Sequence, residues 1–269
     1  MTISATGQDY GKRVLCTVLL VFFLPAFVSA DAAPTGREIM TWVDDRPDGD
    51  DRHAIMKMTL INKRGRQRVR ELESFSKDEG RDRKSVMVFK SPADVKGTAF
   101  LSWNYDDPQK EDDKWLYMPA LRKVRRISGA SRNEYFMGSD FTYDDMGDRN
   151  VDEDTHTLLG EAVIDGHNCW KVASVPVDPE DMYTRKIFWV DQESLLVLKG
   201  EYYDKDGLLK NYRVHAFEQQ DGIWSILRSE MDNVSRNHKT LMETHSIRYN
   251  TGLKDQLFKV STIQRGRIL

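Results

Sequence analysis

Beyond residue 53 the chain alternates apolar and polar positions almost continuously, the period-two signature of half-buried strands. Ala54, Met56, Met58 and Leu60 share one face of a first candidate strand, which ends in a Lys63, Arg64, Gly65, Arg66 turn. The pattern returns with Val86 and Val88 against Met87 and Phe89, then with Leu101, Trp103 and Tyr105 ahead of Asp106, Asp107 and Pro108. Further strands are predicted at 114–118, 122–127, 157–164, 168–175, 185–191, 195–204, 208–218, 223–232, 239–249 and 258–264. Turn chemistry separates them, as at Asp165 and Gly166, at 191–194, at 204–207, and at Asp221 and Gly222. Helical signals are short: residues 34–44, a turn at 92–95, and 139–146, where Ser139 has the chemistry of an N-cap and Asp140 suits the positive helix end.

This grammar predicts a mainly β protein built as an antiparallel meander. A sheet of about ten or more strands must curl, because open twisted sheets of that width rarely stay flat. Several strands are apolar on both faces, as with Leu195, Val197 and Tyr203 against Leu196, Leu198 and Tyr202. The expected fold is therefore an incomplete, half-open antiparallel β-barrel, with a few short helices forming a lid over its mouth. No internal repeat, low-complexity tract or linker divides residues 31–269, so a single domain is expected.

The amino terminus changes the picture by assigning a compartment. Lys12 and Arg13 precede an apolar run over 14–27, and Val28, Ser29 and Ala30 form a small-residue cleavage pattern. Residues 1–30 thus read as a secretory signal peptide, since the run is shorter than the ~20 residues that an uncleaved anchor needs. Cys16 stands at the wrong end of the run for a lipid-modified cysteine. Export places the mature chain in the periplasm or the exterior, of which the periplasm is the expected compartment, and with only Cys169 left after cleavage it has no intramolecular disulfide. A formal net charge of -3 with 31% charged residues of both signs gives no argument for nucleic acid.

Catalytic signatures are missing. The nearest approach to a nucleophile elbow, Gly129, Ala130, Ser131, Arg132 and Asn133, lacks the second glycine. Histidines 53, 156, 167, 215, 238 and 245 are scattered without metal-ligand spacing. Glu243 and His245 share a strand face, as many surface pairs do. The acids Asp144, Asp145, Asp148, Asp152, Glu153 and Asp154 lack the order of a calcium loop and read as a solvated cluster. No enzyme activity, metal or cofactor is expected. Aromatics and methionines on the strands are the stronger signal. Singly, each fits a core; together, on a curved sheet, they outline a hollow. Burial yields ~0.8 kcal/mol per methylene, so a ~14-carbon chain gains roughly 10 kcal/mol before ordering costs, with no catalytic group required.

The most particular stretch is KWLYMPALRKVRRI at 114–127, followed by FMGSDFTYDDM at 136–146. It resembles the signature of the LolA-like outer-membrane lipoprotein-sorting protein family, in which W-L-Y-x-P-A-L-R-K-V-R-R-I precedes F-x-G-S-D-F-x-Y-D-D. The later strands are similar in a looser way, and residues 31–84 add little. The resemblance implies a half-open barrel and a role in lipid or lipoprotein trafficking towards the outer membrane, alongside an inner-membrane exporter. Combined with the hollow, it makes Trp103, Trp115, Tyr117, Trp189, Leu198 and Tyr202 candidate walls and Phe136, Met137, Phe141, Tyr143 and Met146 a candidate lid. Arg122, Arg125 and Arg126 become candidate contacts for a head group or partner, although the same cations also suit a strand edge that must repel other edges. The expected function is a non-enzymatic periplasmic carrier of acyl chains from a lipid or lipoprotein. The alternative is a sensor or adaptor of the same fold that binds a membrane exporter or signalling partner. This chain is longer than the compact carriers that give the family its name, so their contact residues do not transfer position by position.

Overall fold

Period-two alternation becomes strand pairing over nearly the whole length of the chain. The computed structural model describes residues 1, 2, 4, 33–266 and 268, so the predicted signal peptide lies outside the described residues except at 1, 2 and 4. The first six strands are β1 (Asp51–Ile61), β2 (Gln67–Glu79), β3 (Asp82–Ser91), β4 (Ala99–Asn104), β5 (Asp113–Met118) and β6 (Lys123–Ile127). The remaining seven are β7 (Asp154–Ile164), β8 (His167–Pro176), β9 (Arg185–Asp191), β10 (Val197–Asp204), β11 (Gly207–Gln220), β12 (Ile223–Asn233) and β13 (His238–Tyr249). They form one 13-stranded sheet in the order β6-β5-β4-β3-β2-β1-β13-β12-β11-β10-β9-β8-β7. Neighbours pair antiparallel throughout, and the sheet is not closed into a barrel.

That order has a topological consequence. The first and last strands pair in the middle of the sheet, whereas β6 and β7, consecutive in sequence, are its two opposite edges. The connection at 128–153 must therefore cross from one edge to the other, and it carries the second half of the sequence signature. It contains three short 3-10 turns, Gly129–Asn133, Phe136–Gly138 and Val151–Glu153, but no α-helix. The predicted helix at 139–146 is thus corrected to irregular turns: Ser139 and Asp140 spend their side chains on the loop and on β13 rather than on a helix end.

Two other sequence expectations change. Strand β2 was not predicted, because its long run of Arg, Glu, Lys and Asp hides an alternation carried by Leu72, Ser74 and Ser76. The strand expected at 258–264 is instead a 3-10 turn, Asp255–Phe258, and a short helix α2, Val260–Gln264. It packs on the sheet's outer face, where Phe258 and Ile263 join Phe75, Val86, Val88, Leu101 and Tyr117. The first helix, α1 (Gly36–Asp44), matches its prediction and starts with a capping box between Thr35 and Glu38. It seats the fully buried Ile39 against Val172 and Val190. Only glycine fits at position 36, since a Cβ there would stand 2.7 Å from the backbone of Thr157 and Leu158. Residues Pro34–Leu269 form one compact unit.

Candidate functional site

The inner face of the curved sheet holds a cavity of about 360 Å³. Ala54 and Met56 of β1, Met87 of β3 and Met242 of β13 supply apolar wall, while Ser74 and Ser76 of β2, Ser85 of β3 and Ser229 of β12 supply hydroxyls. Alternation explains the composition: these residues share inward parity with Leu72 and Phe89, which are fully buried. Phe141 and Met146 of the crossing segment line the side facing the sheet, and Arg46, just beyond α1, and Arg52 of β1 line one end.

Charged residues fasten the crossing segment over this hollow. Lys210 of β11 is wholly buried, and its Nζ donates to Asp145 Oδ2 at 2.6 Å and to the Asp140 carbonyl at 3.1 Å. The Tyr183 hydroxyl donates to the same Asp145 carboxylate at 2.9 Å. Asp140, also fully buried, accepts from the Thr240 hydroxyl at 2.7 Å and lies 2.6 Å from His238 Nδ1. The segment is also tied towards both edges: Lys114 of β5 reaches Asp144 at 3.0 Å, and Arg149 joins Asp144 at 3.5 Å to Asp154 of β7 at 2.8 Å, with Lys186 of β9 3.2 Å from Asp154.

Burial alone would favour the neutral form of Asp144, but Lys114 and Arg149 outweigh it and hold its pKa below the ordinary aspartate value. The same balance, with Lys186 and Arg149 as partners, depresses Asp154. For Lys114, burial opposes the charge, yet Asp144 and Asp112 prevail and raise its pKa. Depressed carboxylates contribute stability that is fully present above their unfolded pKa of ~3.9 and lost as pH falls through the folded values. The raised lysine contributes below ~10.4 and loses its contribution as pH climbs past that point. The urea midpoint should therefore fall on acidification below about pH 4, with a shallower fall in Asp144→Asn. An equally steep acid limb in that variant would remove Asp144 from the account.

The sequence-predicted residues separate into three groups. Phe141 and Met146 line the cavity. Phe136 and Tyr143 do not: they are 0% and 4% exposed, packed with Phe89 and Phe100 as core, and Met137 rests against the same cluster. Among the candidate walls, Trp103, Trp115 and Tyr117 face the outer side, where Trp103 donates from Nε1 to the Phe258 carbonyl at 2.9 Å and the two indoles meet edge to face. Trp189 and Leu198 sit in a cluster with Cys169 and Ile187, and Tyr202 packs on Phe188 and Tyr183, none of the three lining the hollow. Arg125 pairs with Glu134 and Arg126 with Asp113, while Arg122 sits in a left-handed turn before β6; none borders the cavity. The residues missed were Arg46, Arg52, Lys210 and the inward serines. Their signal was present in the parity of Arg52 with Ala54 and of Lys210 with Tyr212.

A family model described as "Uncharacterized protein" matches residues 81–265. Among solved structures, a DUF1329 family protein from Desulfovibrio piger is 33% identical over 85% of this chain and 97% of its own, with a TM-score of 0.81. The chain belongs to the DUF1329 family. A candidate outer membrane lipoprotein-sorting protein domain from Vibrio parahaemolyticus is 31% identical over 86% of this chain and 98% of its own, also with a TM-score of 0.81. A LolA superfamily protein from Nitrosomonas europaea, 20% identical with 85% and 99% covered and a TM-score of 0.67, shares the fold. The half-open, mainly β architecture is thus LolA-like, as the signature implied. Among curated proteins none matches.

Proposed function

We propose that this protein is a non-enzymatic periplasmic carrier that holds an acyl chain in the inner-face cavity, with residues 31–269 as the mature, single carrier domain. The observation that carries the reading is the hollow between the sheet and its crossing segment, walled by Met56, Met87, Met146, Met242 and Phe141. Methionines adapt to a flexible chain without a fixed shape of their own. At about 360 Å³ the cavity is near the low end of the ~300–1,000 Å³ range of ligand sites, so it suits one chain rather than several. The kinship with a candidate lipoprotein-sorting domain and the predicted export signal point the same way.

Native mass spectrometry of the protein purified from its own periplasm tests the reading directly. Co-purifying acyl species are the expected result; a bare chain that also ignores a fluorescent fatty-acyl probe would sink it. Phe141→Asp should weaken that probe about tenfold, ~1.4 kcal/mol, because a carboxylate would replace apolar wall at a half-buried position. The unfolding midpoint should barely move. Unchanged affinity would take Phe141 out of the site.

One observation favours the adaptor reading as a second possibility. The turns at 62–66 and 236–238 frame another hollow, of about 380 Å³, lined by Asn62, Lys63, Arg64, Arg66, Arg236 and His238. Such a basic tip suits an acidic partner, and a protein recovered without lipid in the same experiment would favour it.

A further inference from the structure

The cavity is graded along the strands. On β1 the inward residues run from Arg52 through Ala54 and Met56 to the fully buried Met58. On β3 they run from Arg83 through Ser85 and Met87 to the fully buried Phe89. Antiparallel β2 follows in register, with Ser76 opposite both Arg52 and Ser85, and with Leu72 opposite both Met56 and Phe89. One end of the hollow is therefore charged and hydroxylated, and the other, at Met56 and Met87, is hydrocarbon, roughly 13 Å away at ~3.3 Å per residue.

The charged end holds unequal arginines. Arg83 is saturated, with Asp48 at 2.7 Å and Asp78 at 2.7 Å. Arg46 and Arg52 have no carboxylate within 4.0 Å among the described residues. Among the described residues Arg46 donates only to the backbone carbonyls of Val43 at 3.2 Å and Leu195 at 3.5 Å, and its buried Nε has no partner there. Burial, together with the like charges of Arg52 and Arg83, pushes its pKa below the ordinary arginine value, and Asp48 opposes the shift. Two guanidiniums crowded beside a hydroxylated wall, with the nearby acids already committed to Arg83, lack the anion that would balance them.

We infer that Arg46 and Arg52 form an anion-binding subsite at the polar end of the cavity, so that the cargo is a single-chain amphiphile with a carboxylate or phosphate head. The inference rests on the carrier reading above and deepens it. The head group accepts from the two guanidiniums, and the tail runs along Ala54 and Met56 towards Met58.

Displacement of a fluorescent acyl probe from the mature protein by palmitate, lysophosphatidic acid and monopalmitoylglycerol tests it. The wild type should bind both anions at least tenfold tighter than the neutral glyceride. Arg46→Ala with Arg52→Ala should erase that preference, lowering the affinity for both anions at least tenfold more than that for the glyceride, and Arg46→Lys with Arg52→Lys should retain part of it. Loss for palmitate alone or lysophosphatidic acid alone supports the subsite and names its head group. Equal binding of all three by the wild type, or an equal drop for all three in the alanine pair, overturns the subsite and leaves the carrier reading standing. Failure of every ligand to bind overturns both.

Discussion

Replacing Lys210 with alanine should lower the unfolding free energy by about 3–5 kcal/mol, the cost of stranding a buried charge without its partner. The Lys210 ammonium has no exposure to water and serves two acceptors on the crossing segment, Asp145 and the Asp140 carbonyl. Three tyrosine rings surround it, with centroids 4.9, 5.6 and 5.7 Å away at Tyr183, Tyr202 and Tyr135. Alanine would leave Asp145 with Tyr183 and the Thr142 amide as donors but without a countercharge. Urea denaturation of the single variants and of Lys210→Met with Asp145→Leu measures the coupling. The double substitution should cost clearly less than the two singles summed, because removing both charges spares the unpaired one. Additive losses would mean that the pair acts through packing alone.

Phe136→Ala should cost about 3–5 kcal/mol of stability while leaving acyl affinity nearly unchanged in the folded fraction. Phe136 is 0% exposed and meets Phe89, Phe100 and Tyr143 with centroids 5.8, 5.3 and 5.6 Å away. Truncation leaves a void whose walls, on β3, β4 and the crossing segment, cannot collapse far. Its neighbour along the segment, Phe141, should behave in the opposite way, losing ligand rather than stability. If Phe136→Ala weakened the probe as much as Phe141→Asp, the division between core and cavity wall drawn along this segment would be wrong.

That division marks where sequence reading stops. Strand positions were legible because alternation is local: Met56, Met87 and Leu101 announce their parity within a few neighbours. Which face is hollow was not, because it depends on the hand of the curl and on what covers each side. Trp103 and Trp115 are as apolar as any wall residue, yet the carboxy-terminal turn at Phe258 claims their face. The serines of β2 carry no apolar signal, and only the crossing segment above them makes their face an interior. The acids at 144–154 likewise read as solvated, since their partners Lys114, Lys186 and Lys210 lie on strands far off in sequence.

In a closed barrel, strand number and stagger set the diameter. Here the strands form a bracelet whose ends never hydrogen-bond, and residues 128–153 are its clasp. The girth of the interior is thus governed by one connector, which can lengthen or shorten without disturbing any rung of the sheet.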